Sequence, residues 1–134
     1  GHDKLINVGL KIIDWSLNMG WDRKYGGLLY FTDVEGKPST VLEWDMKLWW
    51  PHTEALYALL LAYKVTENER YLQWYKRIHE WTFTHFPDRK YGEWFGYLHR
   101  DGSVSTSLKG ALWKGPFHLP RFLLYGMKVL EELI

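Results

Sequence analysis

The chain has no cysteine among its 134 residues, which excludes disulfides and thiolate chemistry and fits a reducing compartment. Its charge is nearly balanced, with 17 Lys and Arg against 16 Asp and Glu, so nothing electrostatic points to nucleic acid or an anionic membrane. No apolar run approaches the ~20 residues of a membrane span, and the first residues lack the apolar core of a signal peptide. A soluble, cytoplasmic chain of one domain is the expectation. The marks of metal and nucleotide chemistry are also missing. None of the six histidines has the i, i+4 spacing of a helical zinc site, and "KYGGLLYF" has glycines for a turn without phosphate-loop spacing.

What the chain does have is aromatic side chains, 18% of all residues, with nine Trp and nine Tyr. Such residues fill cores, and Trp and Tyr also stack on the C–H faces of sugar rings while their polar edges stay wet. It also repeats itself. "DRKYGG" at Asp22–Gly27 returns as "DRKYGE" at Asp88–Glu93, an offset of 66 residues (88 − 22), and the same offset carries Trp15 onto Trp81, Gly36 onto Gly102 and His52 onto His118. A period this long marks a supersecondary unit stacked on copies of itself.

Apolar periodicity predicts a helix over 4–18, stopped by Gly20. A strand-like run, Leu28–Thr32, with Glu35-Gly36 as a turn, predicts a β-hairpin. "EWDMKLWWPHTEALYALLLAYKVT" predicts a largely buried helix with Pro51 near its start, and a second helix over 67–86 ends before Pro87. A second hairpin turns at Asp101-Gly102, and a last helix runs over 120–133. The order is helix, hairpin, helix, helix, hairpin, helix, with no internal boundary. Helix pairs joined alternately by tight turns and long loops suggest an all-α toroid of the (α/α)6 type, in which the long loops gather on one rim and carry the function. Six such units need about 400 residues, so 1–134, read as two repeats over about 1–66 and 67–134, is expected to be roughly the last third of one barrel domain.

Two clusters are dense in chemistry-bearing residues. "LEWDMKLWWPHTEALYA" holds Glu43, Lys47, Trp49, Trp50, His52 and Glu54 around a helix start. "LWKGPFHLPRF" holds Trp113, His118 and Arg121, with Pro116 and Pro120 stiffening the backbone on either side of the imidazole. A closed toroid would aim His52 and His118 at one central pocket. Glu54 lies in an otherwise apolar helix, so it faces a wet pocket or pairs with a cation such as Arg121. His79, His85 and His99 have nothing convergent around them and read as structural.

"LEWDMKLWWPHTEAL", "YGEWFGYLHRDG" and "KGPFHLPR", in that order and spacing, closely resemble the C-terminal portion of the N-acylglucosamine 2-epimerase (renin-binding protein) family. The resemblance runs from Trp21 to the end and implies an (α/α)6 barrel that interconverts N-acetylglucosamine and N-acetylmannosamine. The implied chemistry removes the C2 proton of the open sugar to give an enolate and returns a proton on the other face. Histidine suits both steps because an ordinary imidazole titrates near neutrality. The resemblance gives His118 the role of one catalytic histidine, and Glu54 that of a group orienting or charging the site. It makes Trp50 and Trp113 sugar-lining residues. Trp49, Glu43, Lys47 and Arg121 are further substrate-binding candidates, with His52 a pocket wall. The family's other catalytic histidine, in a motif like "PGHxxEW", is expected upstream, since "GHDKL" has no Glu-Trp after its Gly-His. The 134-residue chain alone is therefore expected to be inactive. No cofactor is required, ATP is an implied effector, and a homodimer or self-association through exposed inner helix faces is expected. Rival readings are an aldose–ketose isomerase of the mannose or sulfoquinovose type, a non-catalytic carbohydrate-binding module, and a glycoside hydrolase using Glu54 and Glu43.

Overall fold

The computed structural model describes residues 2–134. Four helices carry the fold: α1 (His2–Gly20), α2 (Trp49–Thr66), α3 (Glu69–His85) and α4 (His118–Leu133). Two short strands, β1 (Lys47–Leu48) and β2 (Tyr97–Leu98), pair antiparallel with Lys47 opposite Leu98 and Leu48 opposite Tyr97. No helix among the described residues is long and apolar enough to cross a membrane.

Local chemistry sets the helix ends. Glu67 closes α2 in the left-handed conformation, φ 54°, returning its N–H to the Tyr63 carbonyl at 2.7 Å. Asn68 then opens α3, its side chain accepting from the Arg70 N–H at 3.0 Å. The turn between these two helices is therefore tight, and they pack against each other. Pro51 and Pro120 are each the third residue of their helix, where the missing N–H breaks no intrahelical bond. The helices run one or two residues beyond or short of the sequence expectation. The exception is α2, which starts only at Trp49 because residues 43–48 form a turn and β1 instead.

Apolar residues lie all round α2, and it sits between α3 and α4, with α1 touching it more lightly. Leu56, Leu59, Ile78, Tyr71 and Phe122 form one core where these helices meet. Trp49, Trp81, Phe86, Trp94, Leu98 and Leu119 form a second under the loops. Each fully buried leucine contributes roughly 1.5–3 kcal/mol.

The first expected hairpin is not a regular one. The N–H groups of Tyr30 and Phe31 donate to the carbonyls of Met46 and Trp44, while Asp33 caps the intervening turn by accepting from Glu35 and Lys37. The segment that a turn at Glu35-Gly36 would bring opposite Leu28–Thr32 bonds locally instead: Val41 N–H to Ser39 Oγ, Trp44 N–H to the Val41 carbonyl and Met46 N–H to the Glu43 carbonyl. The second hairpin does turn at Asp101-Gly102, with His99 N–H to Ser103 carbonyl at 2.8 Å and Leu98 bridged to Val104.

The two "DRKYG" segments fold alike. Asp22 N–H donates to the Gly27 carbonyl and Gly26 N–H to the Asp22 carbonyl; Asp88 N–H to Glu93 and Gly92 N–H to Asp88 repeat both bonds. The bridges Trp21–Leu28 and Pro87–Trp94 flank them at the same offset.

Candidate active site

The first turns of α2 and α4 meet, and the site is built where they do. His118, first residue of α4, brings Nδ1 to 2.8 Å from Glu54 Oε1. Arg121, one turn further on, pairs with the other carboxylate oxygen, Oε2. Glu54 thus has two partners, including the cation expected from the sequence. A carboxylate that accepts Nδ1–H fixes the imidazole plane and leaves Nε2 with the free lone pair. The Arg121 guanidinium is stacked over Tyr57 and Phe117, with centroid distances of 5.2 and 5.5 Å, so its direction is set as well. Glu54 is held between two fixed donors.

Beside His118 opens a cavity of about 530 Å³ walled by Tyr30, Trp49, Trp50, Tyr97 and Trp113, with Glu43 at its exposed edge. The Trp50 ring lies 5.8 Å from the imidazole, tilted by 35°, and Trp49 meets it edge-on at 6.3 Å. Tyr30 stands edge-on to Trp50 and Tyr97 edge-on to Trp49. Burial, and next the neighbouring Tyr30, push the Tyr97 phenol above its ordinary value, so it stays a neutral donor near neutral pH. Apolar rings with a few polar tips around one imidazole are a surface suited to a sugar.

The structure separates the other sequence candidates. Trp49, Trp50, Trp113, Glu43 and His118 line the cavity. Glu54 and Arg121 stand behind His118: Glu54 meets the imidazole, Arg121 pairs with Glu54, and neither lines this cavity. Lys47 and His52 lie elsewhere. The Lys47 side chain is fully buried, its Nζ 3.0 Å from Asp22 Oδ2, and Arg100 Nε reaches the same oxygen at 2.8 Å. Burial pushes the Lys47 ammonium down and Asp22 partly restores it. Burial alone would raise the Asp22 carboxyl, but hydrogen bonds from Arg100, the Lys24 N–H and Lys47 hold it far below the usual carboxylate range.

His52 is fully buried and does not share a pocket with His118. Its Nε2 accepts the Leu28 N–H at 2.9 Å, its Nδ1 meets the Leu48 carbonyl at 2.7 Å, and it stacks on Trp81 at 4.9 Å. It needs one protonated and one bare nitrogen, so it is neutral, and burial carries its pKa from the ordinary 6.5 down to about 3. It ties the first long loop to α2. Tyr30 and Tyr97, which the sequence reading missed, complete the cavity wall. Both sit in aromatic runs of the two loops, and only the tertiary fold tells an inward tyrosine from an outward one.

Residues 1–118 match the family model described as N-acylglucosamine 2-epimerase (GlcNAc 2-epimerase), and the chain belongs to this family. N-acylglucosamine 2-epimerase of Bos taurus is 49% identical over 115 residues, which cover 86% of this chain and 27% of that protein. A crystal structure of D-mannose isomerase superposes with a TM-score of 0.76 at 28% identity, covering 86% of this chain and 28% of the other. The cellobiose 2-epimerase from Spirochaeta thermophila DSM 6192 gives 0.72 at 26% identity, covering 94% and 29%. These neighbours are (α/α)6 barrels, and the chain has the fold of a part of one, spanning little more than a quarter of the relatives it matches.

Proposed function

We propose that this chain is roughly the last third of a sugar 2-epimerase barrel and supplies one of its two proton-transfer groups. The observation that carries the reading is the Glu54–His118 contact of 2.8 Å, made at the wall of an aromatic cavity with Nε2 of the same ring left for a substrate. Glu54 accepts Nδ1–H and is itself held by Arg121. His118 Nε2 then removes the C2 proton of an open-chain 2-acetamido sugar, and its imidazolium is stabilised by the carboxylate behind it. The resulting enolate takes a proton on its opposite face from a second histidine lying outside this chain. N-acetylglucosamine and N-acetylmannosamine are the proposed substrate pair, supported by the identity to the bovine protein. Tyr97 and Tyr30 are donors at the cavity wall, and Trp50 and Trp113 pack on the sugar ring.

The experiment is His118→Asn in the longer protein that carries this sequence. Turnover should fall by about 10²–10⁴ while sugar binding persists. Unchanged turnover would remove His118 from the chemistry, and binding without turnover in the unaltered protein would favour a carbohydrate-binding role. Aldose–ketose isomerisation is a second reading, favoured by the likeness to D-mannose isomerase. It uses the same deprotonation and returns the proton to C1, so product analysis separates the two.

A further inference from the structure

The two "DRKYG" turns differ in the residue that follows, and the second departs from what its backbone prefers. Glu93 stands where the first turn has Gly27, yet it keeps the left-handed conformation, φ 60° against 71°. That conformation crowds the Cβ of any side chain. Among the described residues the other side chain held this way is Glu67, which closes α2. Glu93 ends no helix. A strained residue persists where its surroundings hold it, and such residues gather at functional sites.

What holds Glu93 is Lys114, whose Nζ meets the Glu93 carboxylate and donates to the Lys109 carbonyl at 2.7 Å. The Lys114 side chain is only 4% exposed, although it belongs to a stretch, residues 105–117, with neither helix nor strand. Gly96, standing where the first repeat has Tyr30, makes room for it: a Cβ there would come within 2.7 Å of Lys114 Cδ. Lys109 adds a second strap, its Nζ reaching Asp88 Oδ2 at 2.6 Å and the Gly92 carbonyl at 2.8 Å. The turn therefore grips residues 109–114 at both of its ends. Trp113, next to Lys114, lines the sugar cavity but belongs to neither core. Lys114 Nζ also lies 5.9 Å over the ring of Trp49, another wall residue.

We propose that Glu93 is a positioning residue for the sugar site: its carboxylate fixes Lys114, and through Lys114 it keeps Trp113 at the cavity wall against the substrate ring. This rests on the reading of the sugar site given above. Removing the carboxylate leaves the Lys114 ammonium buried without its counter-charge. The cheapest relief is for residues 109–114 to swing into water and take Trp113 with them. His118 and Glu54 are held to each other and by Arg121, so the proton-transfer pair stays in place.

The test is Glu93→Gln in the longer protein that carries this sequence. Trypsin cleavage after Lys109 should accelerate at least about tenfold relative to cleavage after Lys24 in the first turn. KM for the sugar should rise about 3–10-fold, the worth of one aromatic contact, with kcat changed less than about twofold. Glu93→Gly, which supplies the first turn's residue and suits the backbone, should act alike, separating the lost carboxylate from any backbone effect. Adding Lys114→Met to Glu93→Gln keeps an apolar stem with no charge to solvate, and should bring cleavage and KM back toward wild type. Faster cleavage with an unchanged KM would make the strap purely structural and overturn the proposal. A KM that rises without faster cleavage, no change in either, or no rescue by Lys114→Met would overturn it as well. A wild type that neither binds nor turns over a sugar would overturn the reading of the sugar site, and this inference with it.

Discussion

His52 should make this fold sensitive to mild acid. Folded, the imidazole is held neutral with a pKa of about 3, because burial disfavours the cation by more than the Leu48 carbonyl favours it, the Lys47 ammonium opposes it, and Nε2 must stay bare to accept the Leu28 N–H. Unfolded, it returns to the ordinary 6.5. A folded pKa below the unfolded one means that the unfolded chain binds more protons between the two values. Stability is therefore full above pH 6.5 and falls as pH drops through the window from 6.5 towards 3. At 1.36 kcal/mol per pH unit, moving from pH 7 to pH 5 should cost ~2 kcal/mol from this residue alone. The assay is urea unfolding followed by tryptophan fluorescence at both pH values, on the wild-type chain and on His52→Gln. The variant keeps a neutral donor and acceptor, so it should start less stable through lost stacking on Trp81, yet lose ~2 kcal/mol less on acidification. Burial also lowers His79, which adds a contribution of the same sign to both proteins and cancels in the comparison. An equal pH dependence in wild type and variant would refute the assignment of His52 as a buried neutral bridge.

Three further outcomes follow from the geometry. Asp22→Asn leaves Lys47 buried without its counter-charge and should cost about 3–5 kcal/mol in urea unfolding, despite keeping the size of the side chain. Gly27→Ala adds a Cβ 2.8 Å from the Trp81 ring at φ +71°, so backbone strain and overpacking together should cost roughly 2–5 kcal/mol, while Gly36→Ala, with the same φ and open space, should cost only about 1–2 kcal/mol. Glu54→Gln in the longer protein should lower kcat by roughly 10²–10⁴ with KM little changed, because it removes the charge behind His118 and is not itself among the residues lining the cavity. A KM effect alone would assign Glu54 to substrate binding.

Periodicity and proline placement carried most of the helical frame. The repeat was legible because its glycines and aspartates hold turns that any copy must make the same way, as the paired bonds at Asp22 and Asp88 demonstrate. The Glu54–Arg121 pair was one of two outcomes the sequence allowed, since a carboxylate among leucines either faces a wet pocket or meets a cation. The positions of Lys47 and His52 were not legible. Both sit in the same dense stretch as Trp50 and Glu54, yet they point to partners 25 and 24 residues back, Asp22 and Leu28, which no local pattern links to them. Tyr30 and Tyr97 were hidden by the converse effect, since a tyrosine in an aromatic-rich loop carries no sign of which way it faces. The first hairpin stayed irregular because the segment after its turn folds on itself, Trp44 N–H to the Val41 carbonyl and Met46 N–H to the Glu43 carbonyl.

The account of His118 as one of two proton-transfer groups is tested most directly by C2 hydrogen exchange. N-acetylmannosamine and N-acetylglucosamine would each be incubated in D₂O with the longer protein and with its His118→Asn variant, and deuterium at C2 followed by NMR. The expected result is exchange and epimerisation from both sugars in the wild type. In the variant net epimerisation should be lost, with exchange surviving from only the one epimer whose proton the second histidine takes. Loss of exchange from neither sugar, or deuterium arriving at C1 instead of C2, would contradict it.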